Sequence, residues 1–243
     1  TKVLYSTDAS IYQIEPIGVV IPKHKQDVVA AVRLAAKHGL PILPRGGGTS
    51  LSGQTVGHAI HLDFSKYMNE ILEFNPEERW VRLQPGLVQD VLNAFLRPKG
   101  FLLGPDTASS SRATLGGMMG NNSAGARSIL YGKTIDHVLE MTVVLSNGEE
   151  ARFDPAQPQE LAARMKGDQL ENRLYREVQA LAHQHRQEIE RRYPKLMRRV
   201  SGYNLDEFTK DQPFNLGRMV IGSEGTLAVV TEAKVKIMPR PKL

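Results

Sequence analysis

The residues whose types and spacing could bind an anion lie in one short stretch, residues 44–54, which reads PRGGGTSLSGQ. Successive glycines, Gly46 to Gly48, are followed by the hydroxyl residues Thr49 and Ser50. Without a Cβ atom the backbone can adopt φ > 0 and approach a ligand closely, so neighbouring N–H groups can converge on one phosphate. The two hydroxyls can add donors. The stretch predicts a phosphate-binding loop, and a flexible surface turn is the alternative.

Neither of the two familiar nucleotide-binding patterns explains this loop. The dinucleotide fingerprint G-x-G-x-x-G fails because, counted from Gly46, its last position is Leu51. A Walker loop fails at Gly132-Lys133-Thr134 because Arg127 stands where the first glycine is needed. We therefore expect phosphate to be bound by another arrangement.

A second glycine-rich stretch lies between Gly104 and Gly132. Glycines at 116, 117, 120 and 125 surround Asn121-Asn122-Ser123 and leave little side chain to bury. Such a segment predicts a backbone that passes close along an extended polar ligand, with a long glycine-rich loop as the alternative. A third stretch, residues 221–227 (IGSEGTL), is weak alone because glycine and serine before a strand also form ordinary turns.

Together, residues 44–54, 115–134 and 221–230 resemble the FAD-binding domain of the vanillyl-alcohol oxidase and para-cresol methylhydroxylase type, and the likeness covers nearly the whole chain. Residues 120–128 (GNNSAGARS), 131–134 (YGKT) and 201–205 (SGYNL) resemble one branch of it. That branch is the FAD- and iron–sulfur-containing D-2-hydroxyacid dehydrogenases, relatives of the glycolate oxidase flavin subunit and D-lactate dehydrogenase. The resemblance implies an α+β fold of two subdomains with FAD between them.

The resemblance also implies which residues contact FAD. The pyrophosphate would be held by Pro44, Arg45, Gly46, Gly47, Gly48, Thr49 and Ser50. The flavin and its ribityl chain would be lined by Pro105, Asp106, Thr114, Gly117, Asn121, Asn122, Ser123 and Ala124. The cofactor would be closed in by Glu224, Gly225 and Val229. Members with covalent flavin often carry a histidine in the glycine loop, so Thr49 and Ser50 lead us to expect non-covalent FAD.

The implied activity is the oxidation of a D-2-hydroxyacid such as D-lactate or glycolate. A hydride equivalent would pass to flavin N5, and electrons would leave to a separate acceptor such as an iron–sulfur centre. No residue of this chain is assigned a catalytic role. We expect the substrate domain, with the residues that bind the hydroxyacid and the iron–sulfur cysteines, to lie beyond Leu243. A non-catalytic flavin- or nucleotide-binding module is the alternative.

Composition limits the other classes of function. The chain has no cysteine, which excludes disulfides and cysteine-bound zinc or iron–sulfur clusters within it, and its histidines form no metal-binding pattern. The net charge of +5 comes largely from residues 191–199. Aromatic residues are few there and no recognition motif surrounds them, so we expect a solvated turn and no nucleic-acid partner.

Hydrophobic content of 41% and charged content of 23% predict a soluble globular protein. No apolar run approaches the ~20 residues of a membrane span, and no signal-peptide pattern opens the chain. A cytoplasmic protein without a transmembrane segment is therefore expected.

The glycine loop needs elements to position it. The pattern predicts a strand at 17–21, a helix at 27–38 and a strand at 40–43, with the loop at the carboxyl end of the second strand, where α/β sheets bind ligands. We expect a boundary at residue 76, between a first subdomain (1–76) and a second (77–243) that contains a helical insertion over about 155–193. Further predicted elements are strands at 60–64, 70–74, 80–84, 138–145, 150–153 and 226–238, and a helix at 87–95.

Overall fold

The computed structural model of the chain describes residues 2–241, and it combines helices with two main β-sheets. The strands, in chain order, are β1 Gly18–Val20, β2 Ile42–Arg45, β3 Ile60–Asp63, β4 Ile71–Asn75, β5 Trp80–Leu83, β6 Phe101–Leu102, β7 Val138–Val144, β8 Glu150–Phe153, β9 Val229–Lys236 and β10 Met238–Pro239. The predicted α+β fold class is confirmed.

Helices connect the strands and cover the sheets. In chain order they are α1 Lys2–Tyr5, α2 Lys25–His38, α3 Gln89–Leu96, α4 Leu115–Asn121, α5 Ser128–Tyr131, α6 Pro158–Arg164, α7 Leu170–Gln184, α8 Arg186–Arg192 and α9 Gly217–Val220. Short 3-10 turns lie at Arg97–Lys99, Thr134–Asp136 and Leu205–Phe208.

The smaller sheet is parallel, in the order β1-β3-β2. Helix α2 connects β1 to β2, begins where the Asp27 carboxylate accepts the Lys23 N–H at 2.8 Å, and ends at Gly39, whose φ is 61°. Its apolar face, which includes Val28 and Val32, is buried. The predicted strand–helix–strand unit is confirmed, and it delivers the glycine loop directly after the carboxyl end of β2.

The larger sheet is antiparallel, in the order β4-β5-β9-β7-β8. The strands predicted at 138–145 and 150–153 are present as β7 and β8; they form a hairpin, and Gly148 in its turn has a φ of 79°. Inward side chains such as Val81, Met141 and Ala233 are fully buried and form the main core with α3 and α4. This sheet is the platform for the second half of the candidate site.

The structure places β4 in the larger sheet, so the two strands on either side of residue 76 belong to the same sheet. Strands β4 and β5 form a hairpin, in which the Glu78 N–H donates to Asn75 Oδ1 at 2.9 Å and Arg79 has a φ of 59°. The proline and acidic residues at 76–78 thus belong to a tight turn instead of a linker. The boundary expected at residue 76 falls inside this hairpin, and the two sheets separate between Asp63 and Ile71.

Other segments also differ from expectation. Residues 115–121 form a helix that the sequence analysis did not assign to this glycine-rich stretch, and Leu115, Met118 and Met119 lie on one face of it and are buried in the main core. The predicted strand at 226–238 is interrupted after Lys236, and Met238 and Pro239 pair with β6 instead; Lys242 and Leu243 lie outside the described residues. The predicted helical region at 155–193 contains α6, α7 and α8.

Candidate functional site

Two adjoining cavities form one groove, because both are lined by Gly46, Ser50, Gln54, Thr55, Thr114 and Gly117. The predicted site residues in its lining are Pro44, Arg45, Gly46, Gly47, Gly48, Thr49, Ser50, Thr114, Gly117, Asn121, Ser123, Ala124, Glu224 and Gly225. Three segments distant in sequence, all glycine-rich, therefore meet at one place. We call this feature the groove.

The glycine loop after β2 forms the first wall. Within residues 2–241, the backbone N–H groups of Gly47, Gly48, Thr49 and Ser50 donate to no protein acceptor. A Cβ atom on Gly47 would lie 2.2 Å from the carbonyl oxygen of Arg112, so only glycine fits against that backbone. The wall thus combines a closely packed backbone with several unpaired donors, which suits an anion.

Helix α4 forms the second wall. Thr114 precedes it, and its Oγ1 accepts the Gly117 N–H at 3.3 Å, which caps the helix. At the other end, the Asn121 side-chain amide donates to Glu224 Oε1 at 2.9 Å. The Ser123 hydroxyl donates to Asn121 Oδ1 at 3.2 Å. This helix therefore has an oriented polar side chain at each of its two ends, and both side chains line the groove.

The loop before β9 forms the third wall, and it docks on α4. The N–H groups of Gly222 and Glu224 donate to the carbonyls of Met119 and Gly120, each at 2.9 Å. Glu224 has a φ of 53°, a left-handed conformation that costs free energy in a residue with a Cβ atom. Partial burial raises the pKa of its carboxyl, and the hydrogen bond from Asn121 opposes that rise.

Ser223 adds a polar group that has no protein partner. The residue is buried and lines the groove, and its Oγ makes no hydrogen bond to any of the described residues 2–241. A buried hydroxyl without a partner is costly, so a ligand that supplies one would be stabilised here.

Arg45 lines the groove, but its guanidinium donates to backbone carbonyls on its far side. Nη1 donates to the carbonyl of Thr55 at 2.6 Å and to that of Tyr5 at 3.2 Å, and Nη2 donates to that of Thr7 at 2.7 Å. Burial lowers the pKa of Arg45, and the nearby carboxylates of Asp8 and Asp63 oppose that shift. The side chain is therefore committed to contacts within the protein.

Four predicted site residues lie outside the groove lining and make other contacts. The Pro105 carbonyl accepts from Gln89 Nε2 at 2.5 Å, and Asp106 pairs with Arg127 at 2.7 Å. Asn122 ends α4 with a φ of 52° and accepts the Ile135 N–H at 3.0 Å. Val229 is buried against α2. These contacts orient the walls of the groove.

The predicted site residues omitted several polar residues that do line the groove, namely Ser52, Gln54, Thr55, Thr107, Ser109 and Ser223. A signal for two of them was present in the run Thr107-Ala108-Ser109-Ser110-Ser111, which concentrates hydroxyls beside the second glycine-rich stretch. Ser223 lies in a stretch too short to distinguish from an ordinary turn.

The part of the chain that the structure describes lacks two features, a metal-binding cluster and a membrane-spanning helix. Over residues 2–241, no three or more His, Asp or Glu side chains gather in a way that could hold a metal ion. In the same part of the chain, no helix has the length and apolar character needed to cross a membrane.

The sequence and fold match known proteins. Residues 16–154 match the family model described as FAD binding domain. The chain is 43% identical over 244 residues to D-2-hydroxyglutarate dehydrogenase of Pantoea ananatis, with 98% of this chain and 24% of that protein covered. It is 32% identical to glycolate oxidase subunit GlcD of Bacillus subtilis, with 99% of this chain and 41% of that protein covered. A solved structure of alkyldihydroxyacetonephosphate synthase superposes with a TM-score of 0.68 at 21% identity, covering 100% of this chain and 37% of the other.

The family model covers more than half of the chain, and the whole length of this chain superposes on part of the solved structure. The chain spans about a quarter of the length of the D-2-hydroxyglutarate dehydrogenase that it matches. The predicted resemblance to FAD-binding domains of the vanillyl-alcohol oxidase and para-cresol methylhydroxylase type is confirmed. This chain belongs to the FAD binding domain family.

Proposed function

We propose that FAD binds non-covalently in the groove, and that this chain is the FAD-binding part of a D-2-hydroxyacid dehydrogenase. The observation that carries the proposal is the meeting of three glycine-rich segments around unpaired polar donors. The likeness to proteins named D-2-hydroxyglutarate dehydrogenase and glycolate oxidase subunit supports the substrate class.

The residues of the groove fit such a cofactor. The unpaired N–H groups of residues 47–50 suit the pyrophosphate, and the unpaired Ser223 hydroxyl offers a further donor or acceptor. The small residues Gly117 and Gly120 leave space beside α4 for a flat ring system. Bound FAD would supply the redox chemistry, the acceptance of a hydride equivalent from the hydroxyacid. The residues of this chain bind and orient it.

We also propose a two-lobe organisation with the division moved to residues 64–70. The first lobe, which contains the smaller sheet, supplies the glycine loop, and the second lobe supplies α4 and residues 223–225. FAD would thus lie between the lobes. The small-molecule 2-hydroxyacid and the electron acceptor, with an iron–sulfur centre as one candidate, would be bound by parts of the protein outside this chain. A cytoplasmic location stays a prediction from the sequence.

The first test is an absorption spectrum of the purified chain after incubation with FAD and removal of the excess. We expect the two visible bands of an oxidised flavin, and release of all FAD into the supernatant when the protein is denatured. A protein that takes up no FAD contradicts the proposal, and colour retained on the precipitate contradicts non-covalent attachment.

A matched pair of glycine variants connects that result to the groove. Gly47→Ala places a methyl group against the carbonyl of Arg112, so the loop must shift and we expect FAD affinity to fall by at least about tenfold, or 1.4 kcal/mol. Gly18→Ala is the control, because a Cβ atom there meets nothing within 4 Å. Equal FAD affinity in the two variants, measured by flavin fluorescence titration, would argue against the glycine loop as the binding element.

A further inference from the structure

Residues 5–13, which precede the first strand, pack against the glycine loop and its flanks; we call them the N-terminal strap. The strap folds back on itself through the bridge between Thr7 and Gln13. Its Ala9 N–H donates to the carbonyl of Gly48 at 3.0 Å, so it contacts the backbone of the loop directly.

Arg45 connects the strap to the loop from within. Its guanidinium reaches the carbonyls of Tyr5 and Thr7 in the strap and that of Thr55 at the far side of the loop. Arg45 lies immediately before Gly46, so one guanidinium connects the start of the loop to two points of the strap and to Thr55. The planar fork of arginine suits this role, because its N–H groups are fixed relative to one another.

Side chains of the strap strengthen the attachment. Thr55 Oγ1 donates to Asp8 Oδ2 at 2.8 Å, and the Tyr5 hydroxyl donates to Asp63 Oδ2 at 2.7 Å at the end of β3. Burial and the bond to Asp63 raise the pKa of Tyr5 to about 12, so this hydroxyl stays protonated and donates at physiological pH. At Gly53, a Cβ atom would lie 2.7 Å from the ring of Tyr12.

We propose that Arg45 is a positioning residue for the cofactor, which acts through the N-terminal strap to hold the glycine loop in its binding conformation. This inference rests on the proposed function. A run of glycines has many accessible conformations, and fixing them before binding removes an entropic cost from the binding step. The charge of Arg45 is balanced by Asp8 and Asp63, which leaves the N–H groups of the loop to bind phosphate.

The direction in which FAD affinity changes in an Asp8 variant distinguishes direct binding by Arg45 from positioning by the strap. Asp8 is absent from the groove lining, and it holds Thr55 and balances Arg45. If Arg45 bound the pyrophosphate directly, Asp8→Ala would remove a competing negative charge and FAD affinity would rise or stay unchanged. If the strap positions the loop, the same substitution frees one side of the loop, and we expect FAD affinity to fall by at least about threefold.

The experiment measures the dissociation constant for FAD by fluorescence titration, and the melting temperature of the FAD-free protein, for the wild type, Asp8→Ala, Arg45→Met and Arg164→Met. Arg164 is the control, since it also donates to a backbone carbonyl, that of Asp154, but its other partners are the Tyr175 hydroxyl and the Asp154 carboxylate, and it lies on α6, outside the groove lining. We expect Arg45→Met to weaken FAD binding by at least about tenfold. Arg164→Met should lower the melting temperature and leave FAD affinity unchanged.

Each result has one meaning. Faster hydrogen exchange at residues 46–52 in Arg45→Met, together with the affinity losses above, supports the proposal that the strap positions the glycine loop. Tighter or unchanged FAD binding in Asp8→Ala overturns it, as does an affinity loss in Arg164→Met equal to that in Arg45→Met. A wild-type protein that fails to bind FAD refutes the proposed function itself and is seen before any variant is compared.

Discussion

At the scale of single residues, the unpaired hydroxyl of Ser223 separates binding from stability. In the FAD-free protein this group is buried without a partner among residues 2–241, so Ser223→Ala removes a desolvation penalty and should stabilise the fold by about 1 kcal/mol. The same substitution would remove the hydrogen bond proposed between this hydroxyl and FAD, so we expect FAD binding to weaken about fivefold. Thermal denaturation without FAD and a fluorescence titration measure the two effects.

Ser128 is the matched control for this prediction. It is also a buried serine, but its Oγ accepts from Arg198 Nε at 2.7 Å. Ser128→Ala should therefore destabilise the protein, the opposite sign from Ser223→Ala. If both substitutions destabilise the FAD-free protein equally, Ser223 has a partner inside the protein and our account of it is wrong.

At the scale of elements, the buried carboxylate of Glu140 fastens three strands together. It lies on β7, accepts from Arg82 of β5 at 2.6 Å and pairs with Arg152 of β8 at 2.7 Å. Burial alone would raise the pKa of Glu140, but the hydrogen bonds and charges of the two arginines outweigh it and the pKa is lowered. The ionised form therefore stabilises the folded larger sheet.

Glu140→Gln should lower the free energy of unfolding by about 1–2 kcal/mol at neutral pH, because it removes the charge of a buried carboxylate that binds two partly exposed arginines. Since the pKa is lowered on folding, the contribution of Glu140 is complete above the unfolded value of about 4.3 and is lost as the pH falls through the folded value. The gap between wild type and variant, measured by urea denaturation, should thus narrow below about pH 4. A constant gap down to pH 3 would exclude the ion pair as its cause.

Elements whose information is local could be predicted from the sequence. The apolar spacing of α2 and its Gly39 end are read from neighbouring residues, as is the Asn147-Gly148 turn. Helix α4 could not be predicted, because glycine disfavours helix and only tertiary burial of Leu115, Met118 and Met119 compensates. The β4–β5 pairing was missed because proline and acidic residues occur in linkers and in turns alike.

The candidate site, like the fold, could be predicted from the sequence only in part. The glycine-rich segments predicted the walls of the groove, because glycine is the residue type that allows a close approach of the backbone. The direction of the Arg45 side chain could not be predicted, because its partners include the carbonyls of Tyr5 and Thr7, which are far away along the chain. Every residue has a backbone carbonyl, so residue type does not identify which carbonyls accept these hydrogen bonds.

At the scale of the whole molecule, the two proposed lobes share a buried cluster. Val144 and Val229 of the larger sheet pack in one buried cluster with Val28 and Leu62 of the smaller lobe. Because these side chains lose their burial together when either lobe unfolds, we expect the FAD-free chain to unfold in a single cooperative transition. The groove lies where the lobes meet, so a ligand in it should stabilise both at once.

This coupling gives a prediction for FAD binding. At a free FAD concentration of one hundred times the dissociation constant, binding adds about 2.7 kcal/mol to stability, which corresponds to a rise of roughly 5–10 °C in melting temperature for a chain of this size. The transition should remain single because each lobe contributes to the groove. Hydrogen exchange should slow at residues 46–52, 117–124 and 222–226 together. Protection confined to one of these segments would mean that FAD binds one lobe alone, and the groove between the lobes would no longer explain its binding.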